Sequence, residues 1–244
     1  MLNEDTSVER VLQELRRKWV EVPAIGRRFD SEQLNKLDDD SLIAAWQELI
    51  GGQSFNVRGW YRMLYRDILR GRQVMDVGSG LGMDALIFAE HGARVTCVDV
   101  VESNLKLIER LARLLKVPNL DFVFFDRMDS LAMLTKTYDV IWCLGSMINV
   151  PFTFACKEAR ELLLHLPIGG RWIELAYPKE RWEREGNLPF NEWGVRTDGP
   201  GTPWVEWYDL EKLTRRLASA QFDVVLHFNF HDDDFNWFDL VRRA

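Results

Sequence analysis

The chain has 244 residues, 47% apolar and 28% charged, with a formal net charge of −7 at pH 7. This composition is globular and excludes a disordered chain, and the length suits one α/β domain with an extension. The acidic balance disfavours nucleic acid as partner, because the basic clusters Arg16-Arg17-Lys18, Arg27-Arg28 and Arg242-Arg243 read as solvated faces.

Cys97, Cys143 and Cys156 are scattered without a CxxC pair, so neither a disulfide framework nor a zinc site is expected, and no metal is assigned. The start, Met1-Leu2-Asn3-Glu4-Asp5, lacks a signal pattern, and no apolar run approaches a membrane span. The expectation is a soluble cytoplasmic protein without membrane contact.

Residues 1–70 read as a helical extension. Thr6-Ser7-Val8-Glu9 has the form of a capping box, and Val8, Val11, Leu12, Leu15, Trp19 and Val22 recur at helical spacing before Pro23. Leu42, Ile43, Trp46, Leu49 and Ile50 make a second stripe, expected to end at Gly51-Gly52. A third helix is expected near Val57, with Trp60, Leu64 and Ile68 as its apolar positions.

From Gln73 short apolar runs alternate with helical stripes. Strands are expected at 74–77, 94–98, 120–125, 138–143 and 171–176, and helices at 85–91, 104–115 and 154–166. This alternation predicts a doubly wound, Rossmann-like parallel sheet over residues 71–244. The stretch 178–208 breaks it with four Pro, four Gly and four Trp, and reads as an inserted substrate lid. A helix at 210–219 and strands at 222–230 and 235–241 follow, the strands close enough to pair as an antiparallel hairpin.

The informative stretch is Asp76-Val77-Gly78-Ser79-Gly80-Leu81-Gly82-Met83-Asp84, which leaves a strand and enters a helix. Its glycines permit positive φ and let a ligand touch backbone, and Asp99, at the end of the next strand, is placed to hold a ribose diol. Any adenosine ligand fits so far. The dinucleotide pattern G-x-G-x-x-G is not met, because Met83 stands at the third glycine's position. Asp76 would repel a pyrophosphate but attract an ammonium, which S-adenosylmethionine presents.

Asp76-Val77-Gly78-Ser79-Gly80-Leu81-Gly82 resembles the first motif of class I S-adenosylmethionine-dependent methyltransferases. Asp99 matches that family's ribose acid. Tyr138-Asp139-Val140-Ile141-Trp142-Cys143 resembles its fourth-strand motif, and Pro167-Ile168-Gly169-Gly170-Arg171-Trp172 its fifth-strand turn. The resemblance implies a seven-stranded, mostly parallel sheet with the last strand antiparallel, S-adenosylmethionine as cofactor and S-adenosylhomocysteine as product. It implies that Gly78, Ser79 and Gly80 line the methionine part, with Asp76 beside them. Asp99 would hold the ribose and Val100 the adenine. Asp126 would take the adenine amino group, with Arg127 against the ring. Leu144, Gly145 and Ser146 would pass near the methyl group.

Ligands of such sheets bind at the carboxyl ends of the strands. The candidate bases are His231, Glu174, Tyr177 and Glu206, of which Glu174 lies within strand 171–176. Tyr61, Ser146 and Trp207 are candidate substrate-binding residues, and Phe55, Arg58 and Trp60 candidate wall residues. His227 and His231 stand too far apart along a strand to suggest a metal pair, and Asn149-Val150-Pro151 reads as a helix start. The expected activity is methyl transfer to oxygen or nitrogen of a small molecule, a sugar or natural-product intermediate being suitable. A protein or peptide methyltransferase, a nicotinamide-dependent oxidoreductase and a non-catalytic binding module are the alternatives. The oligomeric state is open, a homodimer included.

Overall fold

The computed structural model describes residues 4–24, 26–54 and 59–244. In chain order the elements are α1 Glu4–Trp19, β1 Glu21–Ala24, β2 Arg27–Asp30, α2 Ser31–Leu34, α3 Asp39–Ser54, α4 Gly59–Ile68, β3 Gln73–Val77, α5 Met83–Glu90, β4 Arg94–Asp99 and α6 Glu102–Leu115. Then come β5 Leu120–Phe124, α7 Asp129–Ala132, β6 Val140–Leu144, α8 Phe152–Leu163, β7 Arg171–Ala176, α9 Lys179–Arg184, α10 Phe190–Asp198, α11 Leu210–Arg216, β8 Phe222–Phe230 and β9 Phe235–Arg242.

Seven strands form one sheet in the order β5-β4-β3-β6-β7-β9-β8, and β1 and β2 form a separate hairpin. The pairs β3–β4, β4–β5 and β6–β7 are parallel, whereas β9 runs antiparallel to β7 and β8. This is the expected Rossmann-like sheet with an antiparallel last strand. The chain divides into two compact units, Trp19–Phe125 and Met1–Lys18 with Asp126–Ala244. Residues 19–70 of the expected extension therefore group with the first half of the sheet.

In the Trp19–Phe125 unit, Val74–Val77 and Val95–Asp99 are buried, as apolar runs covered on both faces must be. Helix α6 turns Leu107, Ile108 and Leu111 inward, and each such burial contributes about 1.5–3 kcal/mol. It stops where Lys116 takes a left-handed conformation (φ 56°), with Pro118 unable to continue the helix.

Three expectations for this region need correction. Residues 21–30 are not helical: Pro23 follows the end of α1, and Gly26 (φ 74°) permits the reversal that pairs Val22 with Phe29. Gly51-Gly52 do not end the second helix, since α3 runs to Ser54; two helical glycines cost about 1 kcal/mol each, which tertiary packing overrides. On α4 the buried face is Tyr61, Arg62 and Tyr65, while Leu64 and Ile68 are exposed. The apolar spacing of Trp60, Leu64 and Ile68 marks the wrong side because the inward face uses amphipathic residues with polar tips.

In the other unit, β6 and β7 are almost fully buried, and Trp142 meets Trp237 of β9 edge to face at 5.6 Å. The stretch 178–208 is not the loop expected. It contains α9 and α10, whose Trp193 is fully buried and packs edge-on against Tyr177. The expected β8–β9 hairpin is present, with Phe230 opposite Phe235. Pro151 precedes α8, the expected helix start. The expected Thr6 cap falls inside α1, which begins at Glu4.

Candidate functional site

The glycine loop leaves β3 and is pinned to the neighbouring strand: the N–H groups of Gly78 and Ser79 both donate to the Val98 carbonyl, at 2.8 and 3.3 Å. Gly78, Gly80 and Gly82 have φ of 76°, 54° and 75°, which a side chain would strain. A Cβ on Gly82 would also stand 2.5 Å from Ile108 of α6, so this glycine is required by close packing as well. Leu81 anchors the loop from beneath, in apolar space shared with Leu42, Trp46, Leu49, Leu107 and Leu111.

Asp99 ends β4 and is 4% exposed. One carboxylate oxygen accepts from the Gly80 N–H at 2.8 Å, the other from the Val101 N–H at 2.8 Å and the Asn104 side-chain amide at 3.3 Å. Burial lifts its carboxyl to about 6, against these donors, which favour the charged form. Asp76 lies 4% exposed on β3, and its Oδ2 is buried with no hydrogen-bond partner among the described residues. Burial, then the nearby Asp84 carboxylate, push its carboxyl well above the usual range.

Sequence reasoning missed the rest of this cluster. Arg62 of α4 is buried and donates its Nε to Asp84 of α5, while its Nη2 reaches the Tyr61 hydroxyl at 3.3 Å. Burial opposes its charge, but Asp84, Tyr61 and Asp76 hold it firmly protonated. The only hint in the sequence was an arginine inside an otherwise amphipathic helix ahead of the glycine strand. Tyr61, expected to face substrate, is 2% exposed and carries the Arg62 guanidinium over its ring. Val100 is half-buried beside Asp99. Phe55 and Arg58 lie outside the described residues.

The Asp126–Ala244 unit holds the remaining candidates. Asp126 is exposed, bonded to Ser130 Oγ, and its carbonyl accepts from Arg16 at 2.6 Å; Arg127 is exposed too. At the end of β6, Leu144, Gly145 and Ser146 are half-buried, with Gly145 at φ 70° and its N–H on the Leu175 carbonyl at 2.9 Å. Among the described residues, nothing lies within 4 Å of a Cβ placed on Gly145.

Of the candidate bases, three are engaged elsewhere. Glu206, 3% exposed, accepts from the Phe152 N–H at 2.8 Å, the Trp204 indole at 2.9 Å and Lys212 at 2.7 Å. It ties the inserted segment to the starts of α8 and α11. Tyr177 donates its hydroxyl to Asp198 at 2.8 Å, and Asp198 in turn takes the Asn149 amide at 3.1 Å. Glu174 pairs with fully buried Arg216 and accepts from the Trp172 indole at 2.8 Å. Trp207 is half-buried; its ring stacks near Trp182 at 6.1 Å and under the Lys212 ammonium at 4.2 Å. His231 is different. It sits exposed at the β8–β9 turn, Nδ1 on Asp234 Oδ2 at 3.1 Å. His231, Asp232 and Asp233 have φ of 56°, 52° and 58°, and Arg184 and Arg181 of α9 bond the carbonyls of Asp232 and Asp234. Because β8 runs parallel to β7, His231 shares the carboxyl-end edge with Gly145 and Tyr177.

Known proteins fit this arrangement. A family model described as a methyltransferase domain matches residues 53–227. The chain is 36% identical over 96 residues to a ubiquinone biosynthesis O-methyltransferase of Idiomarina loihiensis, covering 39% of each chain. It is 30% identical over 130 residues to the protein of that name from Vibrio vulnificus, covering 51% of this chain and 54% of the relative. The match thus spans about half or less of these relatives. In structure it is similar to N-methyltransferase NodS from Bradyrhizobium japonicum, solved with S-adenosyl-L-homocysteine (TM-score 0.56, 14% identity, 88% and 96% of the two chains). It is also similar to magnesium protoporphyrin IX methyltransferase from Synechocystis (TM-score 0.57, 18% identity, 84% and 96%). With the family model covering most of its length and the glycine loop and strand-end acid in place, the chain belongs to the methyltransferase family.

Proposed function

We propose that the chain is an S-adenosylmethionine-dependent methyltransferase acting on an oxygen or nitrogen of a small molecule. The observation that carries this reading is the charge around the glycine loop. Asp76, Asp84 and Asp99 surround it, and Arg62 balances one of them. A crevice with surplus buried acid favours a ligand of net positive charge. S-adenosylmethionine, with ammonium, sulfonium and carboxylate, has that charge; a dinucleotide pyrophosphate has the opposite one. The unpartnered Oδ2 of Asp76 is the kind of acceptor an ammonium would satisfy.

Asp76, Gly78, Ser79 and Gly80 would hold the methionine part, and Asp99 the ribose, with Val100 beside the adenine. Asp126, Arg127, Leu144 and Gly145 complete the assignment. The cofactor supplies an activated methyl group. What is left to the protein is to orient an acceptor and, for a hydroxyl or protonated amine, to receive its proton. His231 suits the role of proton acceptor, because its imidazole is exposed at the strand-end edge and oriented by Asp234. Tyr177 and Glu206 act as ties of the inserted segment, Tyr61 is buried under Arg62 and leaves the substrate-facing set, and Ser146 and Trp207 remain the substrate-facing assignments. The relatives' names support both acceptor atoms, one being an O-methyltransferase and one an N-methyltransferase.

Calorimetry with S-adenosylmethionine, S-adenosylhomocysteine and NAD tests the reading. Binding of the first two with no heat from NAD is expected; preference for NAD would overturn it.

A further inference from the structure

The segment before the hairpin turn lies on the glycine loop of its own unit. A Cβ on Gly80 would stand 3.2 Å from a methyl of Val22, so the β1 side chain borders the space beside that bare backbone. Immediately before β1, the Trp19 carbonyl accepts from the Asn104 amide nitrogen at 3.2 Å. That same nitrogen donates to Asp99 Oδ1 at 3.3 Å. Asn104 is 1% exposed, and its own amide oxygen has no hydrogen-bond partner among the described residues. The amide orientation is forced, since the reverse would set its oxygen against a carboxylate and a carbonyl. One residue earlier, the Ser103 hydroxyl meets Ser31 at 2.8 Å and the Ser103 carbonyl takes the Asn35 amide at 2.9 Å.

We propose that Asn104 is a positioning residue of the cofactor site, fixing the ribose acid Asp99 while latching the arm Trp19–Ala24 over the glycine loop as its lid. This rests on the S-adenosylmethionine reading. A carboxylate that must receive two hydroxyls has to keep its plane and its charge inside the protein. The Gly80 and Val101 N–H groups hold it from the backbone, and Asn104 holds it from a side chain. Because a single NH2 serves both Asp99 and Trp19, the position of the arm and the position of the acid are coupled. A nucleoside drawn onto Asp99 tightens the latch, and a closed arm slows its departure. Asn104 also holds the Asp99 carboxyl down against the lift of burial. The other titratable groups facing Asp99 are Asp76 of β3 and Cys97 of its own strand, with Asp84 and Arg62 beyond Asp76. Burial raises both Asp76 and Cys97, and Asn104 donates to neither.

The test uses the full chain, S-adenosylhomocysteine titrations from pH 5 to 8, and the variant Asn104→Ala. Expected are a loss of affinity of about tenfold at pH 7, the weight of one hydrogen bond to a charged group, and a pH midpoint moved upward from wild type. A packing role alone would lower the melting temperature and leave the midpoint in place, which overturns the proposal. If wild type fails to bind S-adenosylhomocysteine, the cofactor reading falls and this inference with it. If wild type binds and Asn104→Ala binds equally well with the same midpoint, only the inference falls. Should the variant not fold, amide exchange in the wild type decides. Slower exchange across residues 19–24 with S-adenosylhomocysteine supports the latch, and unchanged exchange overturns it.

Discussion

Two acids show how much burial changes what a residue does. Asp99 is both the acid expected to hold a ribose and the anchor of the loop through the Gly80 N–H. Asp99→Asn keeps the shape but can turn its NH2 toward the Gly80 or Val101 N–H, so it should weaken S-adenosylhomocysteine by about 1–3 kcal/mol in titration calorimetry. In wild type, affinity should be flat above pH 7 and fall below about 6, as the carboxyl that must accept hydroxyl hydrogens becomes protonated. Glu158 of α8 shows a stability effect instead. Burial raises its carboxyl from 4.5 to about 7, with Arg216 opposing the shift and Glu174 adding to it. The folded state therefore holds a proton the unfolded chain has lost, and this group's contribution to stability declines as pH rises from about 4.5 through 7. Glu158→Gln should be more stable than wild type at pH 8 by about 2–3 kcal/mol in urea denaturation and indistinguishable near pH 4.

Elements succeed or fail at their ends and turns. Gly82 begins α5 in the left-handed region, against Ile108. Gly82→Ala combines a backbone penalty of about 1–2 kcal/mol with a steric overlap that must push α6 away. We expect a total of about 3 kcal/mol or more in urea denaturation, together with lost cofactor binding. The β8–β9 turn bends the other way, storing strain in three consecutive left-handed residues that are not glycine. Asp232→Gly should stabilise the fold by about 0.5–1 kcal/mol, because the Arg184 bond goes to the Asp232 carbonyl and survives. The strands, the glycine loop and this hairpin were legible in the residue order because their signals are local: apolar runs of strand length, glycines at a strand end, a short polar gap. The β1–β2 hairpin was not, since a helical apolar stripe ran into Val22 and masked a reversal made by a single glycine. The inward face of α4 was hidden because it is built from Tyr61, Arg62 and Tyr65, which a hydrophobic pattern does not count.

At the scale of the molecule, the chain separates two roles. The Trp19–Phe125 unit contains the glycine loop with Asp76, Asp84 and Asp99, and the other unit contains Gly145, Tyr177 and His231 on its own strand-end edge. His231→Ala should lower kcat by about 10²–10⁴ while leaving S-adenosylhomocysteine affinity unchanged, measured by turnover and calorimetry on the same preparation. A fall in cofactor affinity instead would remove His231 from the role of base.

What the residues alone determined was the architecture and the pattern of glycines and acids at the strand ends. An acid before Gly78-Ser79-Gly80 and another at the next strand's tip are properties of neighbouring residues, and strand–helix alternation is a periodicity. The tertiary structure decided which side chains are left to act. Glu206, Tyr177 and Glu174 looked like acids and bases, yet each is held by a partner 21 to 54 residues away in the chain. Arg62, Asn104 and Val22 come beside Asp84, Asp99 and Gly80 for the same reason. Burial and hydrogen-bond pairing depend on distances in space, which only the folded chain sets.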